Sequence, residues 1–97
     1  MSTTIERMER ANDFERKVYD KFGDKRSQTE YVAEYLDMYG SITALEALSA
    51  FGCFRLAARI ADLRADGYNI TTDMVRGKKS YAIYRMEEED EEVQSNY

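Results

Sequence analysis

Histidine is absent from this 97-residue chain, and cysteine occurs once, at Cys53. Without histidine there is no imidazole general base and no Ser-His or Cys-His nucleophile pair. One thiol is too few ligands for a zinc site of the Cys/His type, and it cannot close an internal disulfide, which suits a reducing compartment. The five glycines stand apart from one another, so no glycine-rich phosphate loop is present. Neither an apolar run of membrane-spanning length nor a signal-peptide pattern is seen. These absences predict a cytoplasmic, non-enzymatic protein with no cofactor, no metal and no membrane association. At 97 residues and 43% hydrophobic composition, one small core is expected.

Charge is scarce in one sense only: the net charge of −5 hides a segregated pattern. Residues 1–22 are balanced, and residues 23–52 carry net −3. Residues 53–86 carry seven basic and three acidic groups, whereas residues 87–97 carry six acidic groups and no basic one. A cationic middle beside an anionic end bears on partners rather than on fold.

Thr4 to Phe22 reads as a helix. Met8, Ala11, Val18 and Phe22 fall on one stripe, with Ile5 and Tyr19 near its edge and Glu15 interrupting its centre. Two uses fit that stripe: packing on the chain's own domain, or pairing two copies as a dimerisation arm. After the break at Gly23, Ser27 and Glu30 form a capping-box pair. The helix that follows is expected to bury Val32, Leu36 and either Tyr35 or Tyr39, and to stop at Gly40. Tyr31, Tyr35 and Tyr39 either cover the core edge or face a partner.

Ser41-Ile42 reads as a short extended link able to become a third strand. Thr43 and Glu46 form a second capping box, opening a helix to about Phe51 with Leu45 and Leu48 facing inward. Gly52 makes a tight turn, and Cys53 is expected to be a small buried residue. A third helix is predicted from about Phe54 to Asp66, with Leu56, Ile60 and Leu63 inside. Two strands follow, Tyr68 to Val75 and Ser80 to Met86, around Arg76-Gly-Lys-Lys79. Ile70, Tyr84 and Met86 are their expected inward residues. Residues 87–97 read as a disordered acidic tail. The predicted organisation is thus an N-terminal helical arm (1–23), a winged helix-turn-helix domain (24–86) and the tail. The fold class is mainly α with a small β-hairpin.

On that layout the outer face of the third helix carries Phe54, Ala58, Ala61, Asp62 and Ala65, with Arg55 and Arg59 on one flank and Arg64 on the other. The alanines leave the face smooth enough to enter a groove. Arg55 has the bidentate fork that matches guanine, and Arg59 either joins it or pairs with Glu46 or another carboxylate. Arg64 suits the helix C-terminus and is expected to be structural. Arg76, Lys78 and Lys79 at the hairpin tip are placed to displace counterions from phosphates, and Ser27 and Thr43 to donate hydrogen bonds to them.

Three runs carry a family likeness: Gly-Ser-Ile-Thr-Ala-Leu-Glu-Ala-Leu (40–48), the run from Phe51 to Ile70 containing Arg-Leu-Ala-Ala-Arg-Ile, and Tyr-Ala-Ile-Tyr-Arg-Met (81–86). Together they resemble the small helix-turn-helix domains encoded by bacteriophages and prophages, over about residues 28–86. The resemblance implies a winged helix and a role in phage gene control through double-stranded DNA. It leaves the N-terminal helix and the acidic tail as specialised additions. The alternative is an interaction module that binds a host protein through an acidic, tyrosine-rich surface.

Overall fold

The computed structural model describes residues 4–87. Five α-helices and three short strands follow the predicted order. They are α1 (Thr4–Phe14), α2 (Asp20–Phe22), α3 (Gln28–Tyr39), β1 (Ser41–Thr43), α4 (Ala44–Phe51), α5 (Leu56–Ala65), β2 (Ile70–Val75) and β3 (Tyr81–Met86). The strands form one antiparallel sheet in the order β1-β3-β2. Ile42 faces Tyr84 across one ladder, and Thr72 faces Tyr84 across the other. The Ser41-Ile42 link is therefore the third strand of the wing.

Both capping boxes form. Ser27 Oγ accepts from the Glu30 amide while Glu30 accepts from the Ser27 amide, and Thr43 and Glu46 repeat the arrangement. Such reciprocal bonds satisfy amides that no helical carbonyl can reach. At the opposite ends, Gly40 (φ 85°) and Gly52 (φ 69°) adopt the left-handed conformation that closes α3 and α4.

The N-terminal helix does not run unbroken to Phe22. A π-helical turn at Glu15–Tyr19 widens it, and a 3₁₀ turn follows at Gly23–Lys25. A widened turn displaces the stripe by about one residue. Ala11, Phe14 and Val18 are buried, Met8 is only half-buried, and Phe22 is left 37% exposed with the Arg26 guanidinium 3.9 Å from its ring centre. Tyr19, at the stripe's edge in the sequence, packs its ring 5.2 Å from that of Tyr31. Glu15 points to solvent and interrupts nothing. Ala11, Phe14 and Val18 join the same core as Val32, Leu36, Phe51 and Ile60. Of the two uses that fit the stripe, packing on the chain's own domain is the one its centre takes, since Ala11 and Val18 are buried in the core.

Tyr31 and Tyr35, together with Phe14 and Phe51, make an aromatic centre with ring centroids 5.0–6.3 Å apart. Both tyrosines are fully buried and Tyr39 is half-buried, so α3 presents no tyrosine-rich surface. Ile70 is buried, and Tyr84 and Met86 pack partly against the core as expected. Ile83, in the middle of the central strand between Thr43 and Asp73, is buried as well. Of the acidic run, only Glu87 falls within the described residues; the proposed tail at 88–97 lies outside them.

Leu45 and Leu48 do not face inward. They are 55% and 40% exposed, while Glu46, Ala47, Ala50 and Phe51 are buried. The rotation of α4 is set by Glu46, whose carboxylate is wholly enclosed. Oε1 accepts from Arg7 Nη1 (2.8 Å) and the Thr43 amide (3.0 Å); Oε2 accepts from Arg10 Nη2 (2.9 Å) and the Tyr35 hydroxyl. Arg7 also donates to Ser41 Oγ and Arg10 to the Ser41 carbonyl, so the cluster joins α1, α3, β1 and α4. Turning α4 by one residue to bury Leu45 would strand two arginines.

Removing one partner of a buried ion cluster leaves charge uncompensated, at a cost of about 3–5 kcal/mol. Glu46→Ala is expected to lose that much in urea unfolding. Arg16→Ala, which breaks only a surface pair with Asp13, is expected to lose less than about 1 kcal/mol. Tyr35 provides a pH test. Burial, then its hydrogen bond to the Glu46 carboxylate, raises the phenol pKa well above the ordinary value. A group raised on folding contributes stability that is present below its unfolded pKa of about 10 and lost as pH rises through the folded value. Unfolding free energy should therefore fall above about pH 10, and Tyr35→Phe should flatten that limb.

Candidate nucleic-acid interface

With Leu56, Ile60 and Leu63 buried, α5 has the orientation its periodicity predicts, but it begins two residues late. Arg55 occupies the N-cap with non-helical angles (φ −123°, ψ 59°), and Phe54 precedes the helix. The turn between α4 and α5 is held by Cys53, which is buried and donates its amide to the Ala47 carbonyl at 3.2 Å. Phe54 and Arg55 are pushed outward as a result. Phe54 is 85% exposed, and the Arg55 side chain has no ion-pair or hydrogen-bond partner among the described residues.

These two residues form a ridge between two hollows. On one side is a groove of about 550 Å³ with a mostly apolar lining that includes Met8, Leu45, Ala57 and Tyr81. On the other is a cleft of about 310 Å³ lined by Gln28, Gly52, Cys53 and Arg59 as well as the ridge itself. Gln28 ties the cleft to the core by donating to the Phe51 carbonyl (3.1 Å), and its Oε1 has no hydrogen-bond partner.

The two ends of α5 meet opposite ends of the hairpin. Near the helix C-terminus, Arg64 donates from Nε and Nη2 to the Ile70 carbonyl (3.0 and 2.8 Å) and from Nη2 to Thr72 Oγ1 (3.0 Å). Its role is structural, as its location suggested. At the helix N-terminus, Phe54 and Arg55 share the groove with Tyr81, which adjoins the hairpin tip. Arg76, Lys78 and Lys79 at that tip are exposed, with no ion-pair partner among the described residues.

The remaining expected contacts fare differently. Ala58 is half-buried and Ala61 exposed, leaving the outer face smooth. Arg59 pairs with Asp62 of its own helix (Nε–Oδ2 3.2 Å), and Asp62 also accepts from the Thr29 hydroxyl. Glu46, the partner considered for Arg59, is taken by Arg7 and Arg10. Thr43 is only 6% exposed and committed to its cap, so it leaves the set of surface donors. With Asp62 exposed on the C-terminal half of α5 and Asp66 exposed at its C-cap, unpaired positive charge is left at the helix's leading end and the wing tip. Gln28, Leu45 and Tyr81 were not foreseen at this surface. Only the packed structure brings residues from three separate elements beside the ridge.

The sequence profile of the winged helix-turn-helix domain matches residues 27–89. The chain belongs to that family. The match begins at the Ser27 cap and takes in the helix pair, its turn and the hairpin, leaving α1 outside it. Searches of curated proteins and of solved structures find no match. A winged helix-turn-helix of this kind points to DNA as the partner. Among the described residues, no helix is long and apolar enough to cross a membrane.

The Arg64 bonds fasten the wing to α5. Arg64→Ala should cost about 1–2 kcal/mol for the lost bonds and speed amide exchange across Ile70–Val75. Lys78→Ala should change stability by less than about 0.5 kcal/mol.

Proposed function

We propose that this protein is a non-enzymatic, phage-type regulator of transcription that acts in the cytoplasm by binding double-stranded DNA. The leading end of α5 enters the major groove, and the wing tip lies on the backbone. One observation carries the reading: Tyr81, beside the cationic tip, lines the same groove as Phe54 and Arg55. Arg55 thereby shares a groove with the residue that begins β3, two positions after the Arg76–Lys79 run that carries Arg76, Lys78 and Lys79. Arg55 is the base-reading side chain, since its guanidinium has no competing carboxylate and can offer a bidentate fork to guanine. Arg76, Lys78 and Lys79 act on phosphates, where each contact releases counterions irrespective of sequence.

Arg59 plays a lesser part than Arg55, because the Asp62 carboxylate lies 3.2 Å from its Nε and opposes approach of a phosphate. Pairing of copies through residues 4–22 is not part of this reading, since Ala11, Phe14 and Val18 are in the core. The alternative of a host-protein surface cannot draw on Tyr31 and Tyr35, which are buried.

Fluorescence anisotropy of the full chain on duplexes over a salt series tests the proposal. Log K should fall steeply with log salt. Replacing Arg76, Lys78 and Lys79 by alanine should weaken binding to all sequences and reduce the slope by about 2.7, or 0.9 for each lost phosphate contact. Arg55→Ala should instead erase about 1–3 kcal/mol of discrimination between preferred and scrambled sites. A salt-independent signal, or none at low salt, would overturn the assignment to DNA.

A further inference from the structure

We infer that Phe54 and Arg55 act as a two-residue reading head, Phe54 against the 5-methyl group of a thymine and Arg55 on a neighbouring guanine. This rests on the DNA-binding reading above and specifies the step that the protein selects. Phe54 is the most exposed large apolar side chain among the described residues, at 85%. Its position is imposed by the turn. Gly52 reverses the chain, Cys53 is drawn inward by its amide bond to Ala47, and Arg55 holds a non-helical conformation, so Phe54 has no core position to take. Next to it stands an unpaired arginine, and both line the groove that Tyr81, at the start of β3, also lines.

Duplex DNA is the occupant that suits this surface. The free cations Arg55, Arg76, Lys78 and Lys79 complement a polyanion, and a helix bearing Ala57, Ala58 and Ala61 can approach closely. Within the major groove, the thymine methyl is the apolar feature that a phenyl ring can cover, and guanine N7 and O6 are the paired acceptors that an arginine fork fits. Further along α5, Arg59 is engaged by Asp62, and Asp62 and Asp66 are carboxylates facing a polyanion. Base reading is thereby confined to the two residues that lead into α5, and the preferred site should contain a thymine adjacent to a guanine rather than a long helical footprint.

The test is selection of bound duplexes from a randomised pool with the full chain, followed by binding to the selected site with that thymine replaced by deoxyuridine. Loss of the methyl should weaken the parent protein about fourfold, the value of one buried methyl-sized group. Phe54→Ala should bind the thymine and uracil duplexes equally, and Phe54→Leu should restore part of the preference. Circular dichroism should show both variants folded, since the side chain is exposed. Equal affinity of the parent protein for both duplexes, or a preserved preference in Phe54→Ala, would overturn the reading head while leaving DNA binding intact. Failure of the full chain to retain any duplex would overturn both.

Discussion

A single buried carboxylate organises this molecule. Glu46 has no solvent contact, and each of its oxygens accepts two hydrogen bonds from four different residues. A buried anion is tolerable only when every lone-pair direction is met, so the partners cannot move independently. Arg7 and Arg10 lock α1 to α4, Tyr35 locks α3 to both, and the Thr43 amide locks the end of β1. The helix outside the family match is thus held by the residue that caps the first helix of the helix-turn-helix.

The rotation of α4 imposed by this cluster also shapes the outer surface. Turning Glu46 inward places Ala47, Ala50 and Phe51 in the core and Leu45 on the wall of the groove beside Phe54. Phe51 in turn lies among Phe14, Tyr31 and Tyr35, which anchors the start of the tight turn. The exposure of Phe54 and Arg55 follows from these internal demands rather than from any preference of their own. At the other end of α5, Arg64 sets the hairpin against the helix by binding the Ile70 carbonyl. Charge then divides along α5: cations free at its start, carboxylates balancing or opposing them toward its end.

Much of this was legible locally. Both capping boxes, the glycine stops at Gly40 and Gly52, the strand at Ser41–Thr43 and the buried triad Leu56, Ile60 and Leu63 each depend on residues within a few positions of one another. The errors came where a distant partner decided. Leu45 and Leu48 fit an apolar stripe as well as Ala47 and Phe51 do, and periodicity alone does not weigh a glutamate that two arginines more than 30 positions away require inside. Phe14 was passed over although Ala11, Phe14 and Val18 have regular helical spacing, because the alternative stripe through Met8, position 15 and Phe22 fits the same period. The π-helical turn at Glu15–Tyr19 then leaves Phe22 outside the core. Arg7 and Arg10 read as ordinary charges, although their spacing of three puts them on one helical face.

The sequence by itself determined the order of helices and strands, the stops at Gly40 and Gly52, and that positive charge would collect in residues 53–86, because caps, glycine conformations and formal charges are local properties. Only the tertiary structure decided which of those charges stay free. Ion pairs form through space. Glu46 went to α1, Asp62 took Arg59, and Arg55 was left at the helix start beside the wing.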